Sequence, residues 1–362
     1  MLSTITFSRS HNSLRLDSAN ALISMKSKLP RCQLAFPNGS PCPTAVIDVS
    51  QLDDDDESLL DDVVRKTKRR LDGRVAVNKF ALIKSSRNPL FDFSFRFAQT
   101  IPPPESWKEL LVDWSGSCGH AILASATVAA GWWLPRPTVG AKTRVEVLNR
   151  GDGEAVIAEV TGCTADCVRY TAHFPQNGIH AHKLLLTGQP RTMIQGYEAS
   201  LISAGNEYVF VNAKHLGMTS PDMLFAAGDE LHCQLASIRS EAGVLLNSQS
   251  TVFPKIACIG AFNGVLAVRA IAVGGFHPGL ALTGLIATGA AAVIPNTIVN
   301  QCVAEAGGDP KRLKVTTAQG EFRVNAMTHG NGADTKIDCI SVPNKRVRLG
   351  GGFSRNRCLS AG

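Results

Sequence analysis

The sequence predicts an α+β protein made of two related halves, each a barrel-like set of curved strands wrapped around one apolar helix. Two observations carry that prediction. First, two glycine-rich turns, Trp114-Ser115-Gly116-Ser117-Cys118-Gly119-His120 and Gly274-Gly275-Phe276-His277-Pro278-Gly279, each feed a run of small residues, 121–131 and 280–294. Both runs close on a proline, Pro135 and Pro295. Second, a matching alternating segment lies upstream of each turn: Lys79 to Ile83 and Lys255 to Ile259 both read Lys-x-Ala-x-Ile. Repetition of this kind marks a duplicated unit. If the halves face one another, both turns meet across one cleft.

In chain order, residues 31–36 and 45–49 read as strands around a turn rich in Asn, Gly, Ser and Pro. A polar helix follows over 53–71, acidic at its start and basic at its end, the order that complements the helix dipole. Strands are expected over 74–84 and 91–99, then a proline-rich loop at 101–105, an extended segment at 110–114 and the first apolar helix. Further strands cover 143–149, 154–161 and 167–173, and 185–191 crosses between the halves. The second half opens on 199–213, with a strand at 208–212, and a helical stretch near 221–240. Strands 255–260 and 265–273, the second apolar helix, and strands 314–315, 321–327, 335–342 and 347–349 complete it. The domain boundaries drawn are a flexible extension at 1–27, a first domain at 28–190, with 343–362 available to complete it, and a second domain at 191–342.

Composition narrows the partners. At 362 residues there is room for two sizeable cores, and only 19% of residues are charged. The net charge of +7 is modest, and the basic cluster at 65–70 follows the acidic run at 53–57, the pattern of a solvated helix face. No nucleic-acid partner is expected. The longest apolar stretch, 265–294, is broken by Arg269, His277, Pro278 and several glycines, so it reads as a domain core and no membrane partner is expected either. The ten cysteines lie singly in apolar segments, as reduced thiols do. Cys163 and Cys167 have no second pair downstream, and His180 and His182 lack neighbouring acids, so no metal is expected. Residues 1–27 carry Arg9, Arg15 and Lys26 with many serines and the single acid Asp17, a pattern shared by mitochondrial presequences and flexible extensions. We read an extension and a cytoplasmic protein, with a mitochondrial location as the alternative.

Cys118 stands where an extended segment gives way to a helix. Unpaired N–H groups and the helix dipole attract negative charge at such a point, which makes a cysteine reactive; the plain alternative is a buried small hydrophobe. With Asn78-Lys79, Asp113-Trp114-Ser115-Gly116-Ser117-Cys118-Gly119, Phe253-Pro254-Lys255 and His277 leading through Thr283-Gly284 to Pro295-Asn296-Thr297, the chain resembles the 2-methylaconitate cis-trans isomerase family, within the diaminopimelate-epimerase-like fold. The resemblance runs from about residue 28 onward. It implies a cofactor-free proton transfer beside a carboxylate, which converts one C=C isomer into another in a cleft between two domains. It also implies Lys79 and Cys118 as the acid and base. Elementary chemistry agrees, since a carbon acid next to a carboxylate needs an activated base and donors for the enolate that develops.

The departures from the family pattern matter too. The family's Arg-Gly-Gly-Thr-Ser-Lys loop is here Pro37-Asn38-Gly39-Ser40-Pro41-Cys42, its His-Pro-Ser-Gly turn is Thr317-Ala318-Gln319-Gly320, and the Asn after Cys-Gly is His120. Without that cationic clamp, the expected substrate is a less charged and bulkier unsaturated acid than a tricarboxylate, a secondary metabolite included. Arg191 and Lys255 are the candidates to compensate. Substrate contacts are expected from Asn38, Ser40, Asn78, Ser117, Gly119, His120, Lys255, His277, Thr283 and Gln319, with His277 placed opposite Cys118 by the internal symmetry. Asn206 and Cys42 carry less weight. The protein is expected to be a monomer or homodimer acting on a small unsaturated acid. Two other functions stay open: an amino-acid racemase or epimerase of the same fold, which would need two opposed thiols, and a binding relative without chemistry.

Overall fold

The computed structural model describes residues 30–52, 56–101, 110–148, 154–248, 250, 252–272 and 275–350. The first half runs β1 (Cys32–Pro37), β2 (Thr44–Asp48), α1 (Glu57–Leu71), β3 (Lys79–Lys84), β4 (Phe93–Ile101), β5 (Leu111–Asp113), α2 (Gly119–Trp132), β6 (Lys142–Val147), β7 (Glu154–Cys163) and β8 (Cys167–His180). After a linker come β9 (Thr192–Ile194), β10 (Tyr197–Ala204), β11 (Asn206–Asn212), α3 (Pro221–Ala226), α4 (Asp229–Leu245), β12 (Lys255–Phe262), β13 (Val265–Ala272) and β14 (Gly275–Phe276). The chain closes with α5 (Leu282–Val293), α6 (Ile298–Glu305), β15 (Arg312–Thr317), β16 (Gly320–His329) and β17 (Lys336–Leu349).

Strand pairing shows the duplication directly. In the first half the order β1-β2-β3-β4-β6-β7-β8-β17 returns to β1, a closed ring of eight strands. Its β2–β3 and β4–β6 pairs are parallel. In the second half β10-β11-β12-β13-β15-β16-β17 repeats that sequence of pairings, with β11–β12 and β13–β15 parallel. A single bridge from Leu185, beyond β8, to Ile202 of β10 brings the second ring together. The long strands β8 and β17 are shared, paired from Lys336 and His180 to Arg348 and Cys167. Closure leaves few open sheet edges, and the shared staves fix the two rings against each other.

Each ring encloses one helix. Twelve residues of α2 and all twelve of α5 are buried, and both helices are rich in Ala and Gly, the side chains that fit inside a barrel of eight strands. These two helices and the inward faces of the strands form one continuous core. Outside it, α1 lays Leu60, Val63, Val64 and Leu71 on Ala45, Ile47, Phe80 and Leu82. Its Asp56 cap accepts from Leu59 N–H, with Glu57 in the first turn and Lys68, Arg69 and Arg70 in the last. The second half covers its sheet with α4, through Leu231, Leu235 and Ile238. Among the described residues, no single helix is long and apolar enough to cross a membrane.

The fold differs from the sequence reading where local signals are weak. The expected strand at 74–84 starts only at Lys79, because 74–78 follows the helix as irregular chain. The expected strand at 208–212 lies within β11, and the residues before it form a further strand, β10, with the hairpin turning at Gly205, φ +78°. Helix α6 is additional, begun by Thr297, whose side chain accepts from Asn300 N–H. The segments expected as 335–342 and 347–349 form one strand, β17, which continues through Asn344 at φ +59° with a shift of register on β8. Most of the proline-rich loop and the start of the expected first helix lie outside the described residues.

Candidate active site

Between the two barrels lies a cleft of about 780 Å³ whose walls come from both. The first barrel supplies Cys42, Asn78, Lys79, Phe97, Ser117 and Cys118; the second supplies Asn206, Tyr208, Lys255, Ile271, His277 and Thr283. Helices α2 and α5 both start here. Their N-cap residues are Cys118 and Ala281, and neither start has a side-chain cap hydrogen bond. Unpaired N–H groups and the positive ends of two helix dipoles therefore point at one space, a setting that favours a carboxylate or a developing enolate.

Close packing holds the two starts together. A Cβ on Gly119 would lie 2.7 Å from the Leu282 side chain, so only glycine permits this approach. Asn206, the first residue of β11, accepts from Ser117 N–H at 3.1 Å and donates to Ser117 C=O at 2.9 Å and to Thr283 Oγ1 at 3.1 Å. It staples the cysteine turn to the opposite helix. Phe253 reaches across to Gly116, where a Cβ would be 2.3 Å from its ring.

Lys79 opens β3 and is 8% exposed. Its Nζ donates to Ser40 Oγ at 3.0 Å, and Ser40 in turn donates to Cys42 C=O at 2.8 Å. Cys42 donates from Sγ to Asn78 Oδ1 at 2.7 Å. Burial raises the Cys42 thiol above its ordinary value, partly offset by the charge of Lys79 and reinforced by Cys118. Lys255, in the matching position of the second barrel, is pushed down to about 8 by desolvation, with the Arg239 charge next in effect. Lys79 and Cys118 both act electrostatically on Cys42 and on Lys255, so the first-barrel amine and sulfur share one neighbourhood.

Behind this wall the environment is basic and buried. His277 is 7% exposed and is pushed down to about 3, first by burial and then by Lys79. Gly279 N–H donates to its Nδ1 at 3.2 Å, so the neutral ring carries its proton on Nε2. His120 is 1% exposed and held well below its ordinary value by burial, then by Lys345, Lys79 and His277. Lys345, on β17, is 3% exposed, lies 4.2 Å over the Phe322 ring and is lowered to about 7 by desolvation.

Of the expected site residues, Lys79, Cys118, Asn78, Ser117, Lys255, His277 and Thr283 are on the cleft wall. Asn38, Ser40, Gly119, His120 and Gln319 are not, and each has a packing reason. Ser40 positions Lys79, Gly119 packs on Leu282, and a Cβ on Gly39 would sit 3.6 Å from His120 Nε2 and 3.7 Å from Gln319 Oε1. Asn38 turns its backbone N–H to the Arg346 carbonyl at 2.8 Å. His277 is not the counterpart of Cys118: by helix position that is Ala281, because His277 stands four residues earlier, just after β14. Arg191 is committed elsewhere, to Glu198 at 3.1 Å and the Asn296 carbonyl at 2.8 Å. Sequence reasoning overlooked Tyr208 and Lys345. The period-two row Lys345, Val347, Leu349 was the available sign that Lys345 points inward.

Comparison with known proteins bears on the family and the fold. The PrpF protein family model matches residues 138–352. The 4-oxalomesaconate tautomerase of Pseudomonas putida is 26% identical over 70% of this chain and 75% of its own. The 3-methylitaconate isomerase of Eubacterium barkeri is 26% identical over 67% of this chain and 75% of its own. The crystal structure of a methylitaconate-delta-isomerase superposes with a TM-score of 0.62 at 20% identity, covering 88% of this chain and 93% of the other. A hydroxyproline epimerase from Agrobacterium vitis gives 0.50 at 14% identity, over 90% and 93%, which places racemases among the proteins of related fold. With more than half its length matched by one family model and both barrels present, the chain belongs to the PrpF family.

Proposed function

We propose that the protein is a cofactor-independent isomerase that moves a proton across a C=C bond of an unsaturated carboxylic acid, by an allylic 1,3-shift or a cis-trans isomerisation through the same dienolate. The observation that carries this reading is the placement of one amine, Lys79, and one thiol, Cys118, on the same cleft, beside two uncapped helix starts. The thiolate of Cys118 takes the proton from the carbon next to the double bond. The electron pair moves into the conjugated acid, and the ammonium of Lys79 returns a proton at the far carbon. Helix N–H groups at the cleft hold the dienolate oxygens. After turnover the two groups have exchanged one proton, and a transfer between them or with water restores the start. Named relatives that act as isomerases or tautomerases of unsaturated acids support this reading.

A racemase of the same fold would need a second thiol opposite the first, and the matching helix start carries Ala281. Val77, Phe97, Ile271 and Phe276 are among the residues lining the cleft and offer apolar surface to a substituent on the substrate. The test is turnover of 4-oxalomesaconate, 2-methylaconitate and 3-methylitaconate in the presence of a chelator, followed by proton NMR. Isomerisation of at least one is expected; inertness toward all three, with no binding, would favour another ligand class.

A further inference from the structure

The cleft wall carries a phenol that takes no part in the proton transfer itself. Tyr208 lies in β11 two residues after Asn206, so the two side chains leave the same face of the strand. Asn206 binds the Ser117 backbone and donates to Thr283 Oγ1 at 3.1 Å, which fixes that face against both helix starts. The tip of the phenol meets the first turn of α5. A Cβ on Gly284 would lie 2.7 Å from Tyr208 Oη, so it is a glycine that lets the hydroxyl stand there. Tyr208 is otherwise buried and lines the cleft.

The order of donors leaves the phenolic proton to the cleft. A hydroxyl has one proton to give and accepts with its lone pairs. Thr283 Oγ1 already accepts from Asn206 and is the side-chain hydrogen-bonding neighbour of the phenol, so its proton turns to Tyr208 Oη and the proton of Tyr208 turns outward. Burial raises the phenol above its ordinary value, which keeps it a neutral donor. Beside it in register on β12 stands Lys255, also on the cleft wall. The equivalent register pair of the first barrel is Thr44 and Lys79, and Thr44 is not on that wall. The second barrel therefore has a long hydroxyl next to its amine where the first has a short one.

We propose that Tyr208 is a catalytic residue whose hydroxyl donates to the substrate carboxylate beside Lys255, and that this bond tightens as charge builds on the same oxygen in the dienolate. The proposal rests on the isomerase reading and adds to it a second-barrel donor for the charge that Cys118 creates. A bond that strengthens on the way to the dienolate acts on kcat and leaves KM nearly unchanged.

Turnover of 4-oxalomesaconate, 2-methylaconitate and 3-methylitaconate by Tyr208→Phe and Thr283→Val, singly and together, tests it. Tyr208→Phe keeps the ring against Gly284 and should lower kcat roughly 10²-fold, as loss of one such donor does, with KM within about threefold. Its Cys118 should be alkylated by iodoacetamide at the wild-type rate. Thr283→Val should lower kcat about fivefold in the wild type and less than about twofold in Tyr208→Phe, because the threonine acts through the phenol. Should the phenylalanine variant fail to fold, Thr283→Val alone must still lower kcat at constant KM. A kcat for Tyr208→Phe within threefold of the wild type, a loss confined to KM, slowed alkylation of Cys118, or additive losses in the double variant would overturn the role of Tyr208 and leave the isomerase standing. Absence of wild-type turnover on all three acids would overturn the isomerase reading, and the role of Tyr208 with it.

Discussion

The two barrels are built to one plan and present different side chains to the cleft. Lys79 and Lys255 both open a strand that is paired in parallel with its neighbour, and Cys118 and Ala281 both stand at the start of an enclosed helix. Only the first barrel combines amine and thiol. The second keeps the amine, has a methyl group where the sulfur would be, and adds His277 on the wall. A symmetric scaffold with two thiols suits removal and return of a proton on opposite faces of one carbon. An amine and a thiol in one barrel, facing a binding surface in the other, suit movement of a proton between two carbons. On the proposed assignment, the proton chemistry belongs to the first half, and Lys255 and His277 of the second face it across the cleft.

Substitutions can break that comparison, and the largest effects are expected in the first barrel. Lys79→Ala and Cys118→Ala should each lower turnover roughly 10²–10⁴-fold, as loss of a general acid or base does, with unchanged circular dichroism. The second-barrel twin should behave otherwise: Lys255→Ala should raise KM for an anionic substrate and lower kcat less than about tenfold, the signature of lost binding. Because Lys255 is pushed down to about 8, its charge is present below that pH and lost above it. KM in the wild type should therefore rise as pH passes 8, and that part of the pH profile should vanish in the variant.

The joint between the barrels should answer next. Asn206→Ala leaves the Ser117 backbone and Thr283 without their partner and should cost about 1–3 kcal/mol in chemical denaturation. Gly119→Ala drives a methyl group into Leu282 and should cost about 1–3 kcal/mol by overpacking, with activity falling further than stability. The remaining effect has the opposite sign. Lys345→Met removes a buried, unpartnered ammonium whose proton affinity is lowered to about 7. The unfolded chain binds more protons than the folded one between that pH and the ordinary lysine value, so the wild type gains stability as pH rises through this window. The variant should be the more stable protein at pH 7, by about 1–4 kcal/mol, and should lose that pH dependence.

Much of this comparison was legible in the chain. Glycine turns followed by small-residue runs can scarcely be anything but enclosed helices, and the repeated Lys-x-Ala-x-Ile strands exposed the duplication. The exchange of strands was harder to see. β17 passes through Asn344 and crosses from one ring to the other, and the asparagine and proline in its middle read locally as a break. Lys345 follows that break, so its burial over Phe322 depended on a continuity that the residues themselves argue against. Pairing the two turns by their glycines placed His277 opposite Cys118, whereas pairing them by helix start places Ala281 there. Distant partners such as Asn206 with Ser117 are set by topology and leave no local mark.

The central claim is that one proton passes between substrate, Cys118 and Lys79 within a single cleft. It is tested most directly by turnover in deuterium oxide, with proton NMR of the recovered acid, in the wild type and in Cys118→Ala and Lys79→Ala. The account predicts that solvent deuterium enters at the carbon protonated by the wild type and that neither variant exchanges at a comparable rate. Wild-type isomerisation with no exchange in either substrate or product, together with full activity in both variants, would contradict it.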